Sequence, residues 1–346
     1  MNTVVSFLRR WTLLRHLLVA VAAAALLYGL TQWLSDYRNI QLADIAMELC
    51  AVAGLTILTG HSGQISLGNG AFMFVGAYTV ALIFEHHTVG NAGLVWVLAS
   101  AVVVSAIIGG LIGVAAARLR GPYLAGVTLA LAIGLPVLPK YQKLSALGGH
   151  AGIPVGTPPA PGGMDLFRWQ ALLCCLAAVI TVFVLANLAR SRTGRAFRAV
   201  RDDEIAASLA GLPVARIQIL AFTVSAASAG LAGGLFAVIN GSVGPDSFGL
   251  SLSLGLLAAI VLGGLGSLIG AIYGSIIITL LPQWSTDLAS ALSLPDKVGN
   301  NLPIAVYGVV LIAVILAFPF GLQGVVQRVG QITRRTRNSP VTIHRT

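Results

Sequence analysis

Charged side chains are scarce in this sequence. Asp, Glu, Lys and Arg make up 9% of its 346 residues, whereas a soluble domain has about 25%. Hydrophobic residues make up 57%, and the mean hydropathy is +0.89. These values exclude a soluble globular protein. Because 40 residues are glycine and no alternating, turn-rich strands of a membrane barrel are seen, we predict an all-α polytopic helix bundle.

Cysteine and lysine are rare as well, and this limits the chemistry. Cys50, Cys174 and Cys175 lie in apolar runs without the spacing of a metal site or a disulfide framework, so we interpret them as core packing and predict no metal. No GxxxxGK[ST] phosphate loop is present, so the chain has no ATP hydrolysis by that route and no cofactor is predicted. The net charge of +10 comes without a groove-reading motif, so no nucleic acid partner is expected.

Apolar runs predict about ten transmembrane helices, within a range of eight to ten. The first run, 17–34, is either a signal peptide or a retained helix; its length and the lack of a clear cleavage site favour the helix. Read as one helix, 250–281 would measure ~48 Å against a ~30 Å hydrocarbon core, so Gly263, Gly264 and Gly266 indicate a break. The predicted spans are 17–34, 40–60, 65–84, 94–117, 123–138, 171–188, 217–239, 250–263, 265–281 and 302–318.

The distribution of Lys and Arg gives a topology. With the N-terminus inside and ten crossings, sixteen of the 21 basic residues are cytoplasmic. A membrane domain over 17–324 then lies between basic cytoplasmic tails, 1–16 and 325–346. Its cytoplasmic loop is 190–216, and its longest external loop, 140–168, is too rich in Pro and Gly for a regular element. That external loop either covers the bundle or meets an external partner, and both interpretations are open.

The loop 190–216 contains signals for one short helix over 203–210. Asp202 is placed to cap it, Asp203 and Glu204 occupy the first turn, Gly211 ends it and Pro213 stops its continuation. Ile205, Leu209 and Leu212 recur at i, i+4 and i+7 and give it an apolar edge. This helix either lies on lipid or docks on a cytoplasmic motor subunit, and the residue pattern alone does not decide between the two.

Glycines also interrupt the span that begins at Gly60, GHSGQISLGNGAFMFVGAYTVALI. Backbone groups freed inside a membrane must be satisfied by protein or by a water-lined cavity, so the interruption predicts a broken helix along a substrate route. The alternative is that the glycines serve helix packing. Packing is the preferred interpretation for glycine pairs at four-residue spacing elsewhere, namely Gly109 and Gly113, Gly230 and Gly234, and Gly266, Gly270 and Gly274.

Four motifs in order resemble one transporter family. They are the segment from Gly60, RTGRAFRAVRDDEIAASLAGL, AFTVSAASAGLAGGLFA and LGGLGSLIGAIYG. Together they resemble permeases of bacterial ABC importers for branched-chain amino acids, the LivH/LivM family, over 40–324, and more closely the longer LivM-type subunit. Glu204, Ala206, Ala207 and Gly211 resemble the Glu-Ala-Ala…Gly loop that engages the ATPase, although Ile205 separates the acid from the alanines.

The resemblance implies a subunit of a heteromer in the bacterial inner membrane, with both termini cytoplasmic. Its expected partners are a second related permease, two cytoplasmic ATPases that bind the ATP, an extracytoplasmic binding protein and the lipid bilayer. We expect ATPase coupling at Arg201, Asp203, Glu204, Ala206, Ala207, Leu209 and Gly211. We expect a translocation path at Gln64, Ser66, Gly68, Asn69, Gly70 and Gly76, and no catalytic residues.

A second hypothesis rests on two acids. Asp44 and Glu48 lie four residues apart in a predicted span, and acids within a membrane are candidates for function. They would make the protein an ion- or proton-coupled secondary transporter that works without an ATPase.

Overall fold

The computed structural model describes residues 12–87, 90–119, 122–141, 147–291, 308–309 and 312. In this part of the chain the dominant element is the α-helix, and the prediction of a polytopic helical membrane protein is confirmed. The α-helices, together with a π-helix that continues α2, are α1 (Thr12–Trp33), α2 (Asp36–Leu55), the π-helix (Thr56–His61), α3 (Asn69–His86), α4 (Asn91–Ala116), α5 (Pro122–Val137), α6 (Leu166–Arg190), α7 (Arg192–Asp202), α8 (Glu204–Leu209), α9 (Val214–Asn240), α10 (Leu250–Gly263) and α11 (Leu268–Ala291).

Among the described residues, seven helical segments are long and apolar enough to cross a membrane. A shorter apolar helix covers Leu268–Trp284. The predicted count of about ten is therefore not confirmed. Of the tenth predicted span, 302–318, only residues 308, 309 and 312 are described, and the tails 1–16 and 325–346 lie outside the described residues except for 12–16. The seven segments are Arg15–Trp33, Asp36–His61, Gly93–Ala116, Tyr123–Lys140, Leu166–Arg190, Val214–Asn240 and Pro245–Gly263.

The predicted break in 250–281 is confirmed. α10 ends at Gly263, and Gly264 and Gly266 both have positive φ, 114° and 82°, which side chains rarely adopt. α11 then folds back on α10 as a helical hairpin: Gly263 lies against the backbone of Gly270, and Gly274 lies against the backbone of Ala259. The chain reverses its direction here, as the two-pass interpretation of this region requires.

Helices α2, α3 and α9 form the buried centre of the bundle, each with at least half of its residues buried. α9 contacts its neighbours through small residues, and a Cβ at Gly230 would overlap Ser105 of α4. Gly234 lies against Leu98 and Val80, so the predicted packing role of this pair is confirmed. Such close approach suits helices in lipid, where dispersion contacts rather than hydrophobic burial drive association. The three cysteines are buried and free, as predicted.

At the opposite end of the bundle from α7 and α8, the loop 140–168 is fastened to the connection between α9 and α10. Ile153–Pro154 (β1) pairs antiparallel with Ser242–Val243 (β2), and Lys140 forms an ion pair with Asp246 at 2.5 Å. The prediction that this loop has no regular element is wrong, because it contains the strand β1. The strand pair forms because Ile153 and Val243 are both buried, and the loop's Pro and Gly content did not reveal a partner distant in sequence.

Candidate coupling and translocation site

A helix that the sequence interpretation missed, α7, precedes the short helix of the polar loop. Ser191 caps it by accepting a hydrogen bond from the Gly194 amide at 3.3 Å. Phe197 and Val200 are buried on one face, three residues apart. The cap followed by this apolar pair is the signal that would have revealed α7. The helix turns the polar loop into a two-helix unit held against the bundle.

The short helix α8 is present, but its start was predicted one residue too early. Asp203, not Asp202, is the cap, and its carboxylate accepts hydrogen bonds from the amides of Ile205 at 2.8 Å and Ala206 at 3.0 Å. Asp202 is unsuited to that role because it is still the last residue of α7 and its carboxylate is bound by Arg201 at 2.9 Å. The helix therefore covers Glu204–Leu209 rather than 203–210.

The predicted role of Gly211 in ending α8 is confirmed, although the last helical residue is Leu209 rather than Ala210. Gly211 has a φ of 81°, and its amide donates to the Ser208 carbonyl at 3.0 Å. The Leu212 amide donates to the Ala207 carbonyl, also at 3.0 Å. This pattern is the left-handed turn that satisfies carbonyls at a helix end. A helix of six residues is unstable alone, so these terminal bonds are important for its order.

One side of α8 faces the bundle and another is open. Ala207 is 4% exposed, whereas Ile205 is 69% and Leu209 84% exposed. The Glu204 carboxylate accepts a hydrogen bond at 2.8 Å from Nε2 of Gln218, a buried residue of α9. The acid beside the inserted Ile205 thus fastens α8 to a long helix, and two large apolar side chains project away from the protein.

Arg201 connects this unit to the glycine-rich segment. Its guanidinium donates to the Gly60 carbonyl at 2.7 Å, which satisfies a carbonyl near the end of the π-helix. Its side chain crosses Gly63, where an added Cβ would lie 2.6 Å from Arg201 Cγ. Gly60 is also in backbone contact with Gly266, in the turn between α10 and α11. The sequence interpretation did not assign this meeting of three segments.

The predicted interruption of the membrane helix is present. Residues 62–68 are not helical, and side chains from other helices bond to this segment and to the first turn of α3. Thr128 of α5 accepts from the Leu67 amide at 3.0 Å, and Ser253 of α10 accepts from the Gly70 amide at 3.1 Å. Ser225 of α9 donates to Asn69 Oδ1 at 3.3 Å. These three partners were not predicted, although each is a hydroxyl in an otherwise apolar run.

The structure brings most of the proposed translocation residues together, in and after this interruption. Gln64, Ser66, Gly68, Asn69 and Gly70 are all buried there. Gly76 lies apart from them, two turns into α3, where a Cβ would overlap the Gly230 carbonyl. The structure thus places Gly76 in a helix contact.

Three buried polar atoms of this segment have no hydrogen-bond partner among the described residues. They are Ser62 Oγ, Gln64 Oε1 and Asn69 Nδ2. Buried polar atoms in proteins are nearly always bonded, and each exception calls for an explanation. A polar molecule passing through this region would supply the missing partners.

The two intramembrane acids lie on α2, away from the interruption. Asp44 and Glu48 are partly buried, and Glu48 Oε2 is enclosed without a hydrogen-bond partner in the described part of the chain. Within that same part, no three His, Cys, Asp or Glu side chains are close enough to hold a metal ion.

The family model described as "Branched-chain amino acid transport system / permease component" matches residues 39–318. The chain belongs to this permease family. The match covers the broken segment, α7, α8 and the hairpin of α10 and α11.

Several curated relatives are similar to this permease. LivM, a high-affinity branched-chain amino acid transport system permease protein of Salmonella typhimurium, is 36% identical over 260 residues, which are 68% of this chain and 60% of LivM. LivH of Escherichia coli K12 is 29% identical over 288 residues, 78% of this chain and 89% of LivH. The autoinducer 2 import system permease LsrC of an Enterobacter strain is 36% identical over 135 residues, 34% of this chain and 39% of LsrC. The permease thus matches about three fifths of the length of its LivM relatives. No solved structure matches it.

Proposed function

We propose that the protein is a membrane-spanning subunit of an ABC importer that takes up branched-chain or other hydrophobic amino acids. The observation that carries this proposal is the family match over 39–318. Salmonella typhimurium has two relatives, LivM and LivH, that are both named as high-affinity branched-chain amino acid transport system permease proteins, which supports a second, related permease as partner. Two separate ATPase subunits supply the energy, and an extracytoplasmic binding protein delivers the substrate.

In this proposal α8 is the surface that the ATPase moves. Ile205 and Leu209 are its exposed apolar side chains, and burying such side chains against a partner is favourable. Asp203 and Gly211 hold the two ends of the helix in shape, and Ala206 and Ala207 allow close approach. Glu204 transmits the load to α9 through Gln218.

Arg201 gives the same load a second path. Because it is bonded to the Gly60 carbonyl, a displacement of α7 pulls on the chain that leads into the interruption. The residues there, Gln64, Ser66, Gly68, Asn69 and Gly70, form the proposed translocation path, whereas Gly76 packs against α9. ATP-driven closure of the motors would thus switch the path between outward and inward access.

The orientation follows from charge. The end of the bundle that carries α7 and α8 is rich in arginine, and we assign it to the cytoplasm of the bacterial inner membrane. Both chain termini are then cytoplasmic, and the loop 140–168 faces the binding protein. Among the described residues, the arginines at this end include Arg190, Arg192, Arg195, Arg198, Arg201 and Arg216.

The test is reconstitution of the whole transporter. The chain is co-expressed with the second permease and the two ATPases from neighbouring reading frames and placed in liposomes with the binding protein. Uptake of L-leucine, L-isoleucine and L-valine that requires ATP and persists with a protonophore supports the proposal. Uptake without ATP, abolished by the protonophore, would favour the proton-coupled alternative.

A further inference from the structure

A buried amide donor without a partner lies at the N-terminus of α3. Asn69 is the first residue of this helix and is 1% exposed. Its Oδ1 accepts the hydrogen bond from Ser225, so Nδ2 is left free, and no described residue accepts from it. Leaving such a donor unbonded inside a protein is costly, and a ligand that accepts from it would remove this cost.

Backbone donors next to this side chain are free as well. In the first turn of α3, the Gly70 amide donates to Ser253 and the Phe72 amide to the Gly68 carbonyl. Within the described residues, the amides of Asn69 and Ala71 have no acceptor. α3 has 18 residues, so its dipole places partial positive charge at the same point. The donors and the dipole together favour an anion.

The site lies deep in the bundle. Ser225, which contacts Asn69, is the twelfth of the 27 residues of α9, about 17 Å along that helix from its start. The non-helical residues before Asn69 are mostly buried against other helices. Water is scarce at this depth, so the helix end would gain more from an anion here than at a surface.

A buried acceptor without a partner lies in the same interruption. Gln64 Oε1 is buried and unpartnered, five residues before Asn69 in the same interruption. A free amino acid is a zwitterion whose carboxylate needs donors and whose ammonium group needs acceptors. This segment holds unpaired atoms of both kinds.

We propose that the N-terminus of α3, with Asn69 Nδ2, binds the α-carboxylate of the transported amino acid. This inference rests on the proposed function and deepens it. It names the free carboxylate as the substrate feature that the permease itself recognises, independently of the binding protein. Asn69 is then a specificity-determining residue.

The experiment measures binding to the transporter complex in nanodiscs without the binding protein. Labelled L-leucine is displaced by L-leucine or by L-leucinamide, which retains the side chain and the ammonium group but has no carboxylate. We expect the wild-type complex to prefer L-leucine at least tenfold. Asn69→Asp replaces the donor with a negative charge, and we expect it to weaken L-leucine binding about tenfold to a hundredfold while sparing L-leucinamide.

The matched control is Asn91→Asp. Asn91 is likewise the first residue of a long helix after a glycine, but its Nδ2 already donates to the Pro159 carbonyl at 2.8 Å. We expect it to keep the wild-type preference. The ratio of the two affinities within one preparation separates lost recognition from lost folding, which would weaken both ligands.

Two outcomes would overturn the inference: a wild-type complex that does not prefer L-leucine, or an Asn69→Asp complex that keeps the wild-type ratio. Neither affects the proposed function. That function fails separately, if the wild-type transporter with its binding protein shows no ATP-dependent uptake of branched-chain amino acids.

Discussion

Replacement of Gly211 by valine should separate ATP hydrolysis from uptake. Gly211 ends α8 with a φ of 81°, in the region that β-branched residues avoid. Nothing lies within 4 Å of a Cβ built at this position, so the substitution meets no steric obstacle and its effect is confined to the backbone. The free-energy cost of the substitution is therefore the cost of the left-handed backbone conformation alone.

The cost of a left-handed backbone for a residue with a side chain is about 1–2 kcal/mol. α8 has six residues and depends on its caps, so a penalty of this size lowers the ratio of ordered to disordered helix about 5- to 30-fold. If uptake requires the ordered helix, it should fall by a comparable factor. Membrane insertion should be unchanged, because the long helices are untouched.

The assay compares ATP hydrolysis and L-leucine uptake in the same proteoliposomes. We expect Gly211→Val to keep hydrolysis and lose uptake. Gly211→Asn is the control, since asparagine enters the left-handed region more readily than other side chains, and it should retain most uptake. Uptake by the valine variant at the wild-type rate would refute the coupling role of α8.

Three further variants test other parts of the structure. Arg201→Gln removes the cation that binds the carbonyl at the end of the π-helix, and we expect uptake to fall while ATP hydrolysis continues; unchanged uptake would contradict the second load path. The double variant Asp44→Asn with Glu48→Gln should transport at the wild-type rate, and a loss restricted to uptake would support the proton-coupled alternative. Gly76→Ala adds a methyl group against the backbone of α9, so we expect the complex to lose about 1–3 kcal/mol of stability. A thermal unfolding midpoint equal to that of the wild type would show that the contact between α3 and α9 tolerates a side chain.

The parts of the site that depend on local backbone chemistry were predictable. A glycine after the last turn of a helix commonly ends it, and several glycines close together commonly interrupt a membrane helix. The role of Gly211 at the end of α8 and the break before α3 therefore follow from sequence. The start of α8 was misplaced by one residue because two consecutive aspartates both satisfy the capping preference. Only the three-dimensional path of α7 determines that Asp203 takes the role.

The contacts between distant segments were not predictable from one sequence. Nothing in the residue pattern pairs Arg201 with Gly60, 141 residues away, or Asn69 with Ser225, 156 residues away. A serine or threonine whose hydroxyl bonds to another helix has the same sequence neighbours as one whose hydroxyl bonds to a carbonyl of its own helix. Likewise the strand pair at the other end needs a partner that local composition does not reveal.

The contact between Gly60 and Gly266 has a mechanical consequence. Side chains in ordinary contacts absorb small displacements by changing rotamer, but here backbone meets backbone and neither residue has a side chain to adjust. A shift of Gly60 must therefore move the turn between α10 and α11 by a similar amount. Arg201 is bonded to the same residue. We therefore expect the interruption and the hairpin of α10 and α11 to move together rather than one after the other.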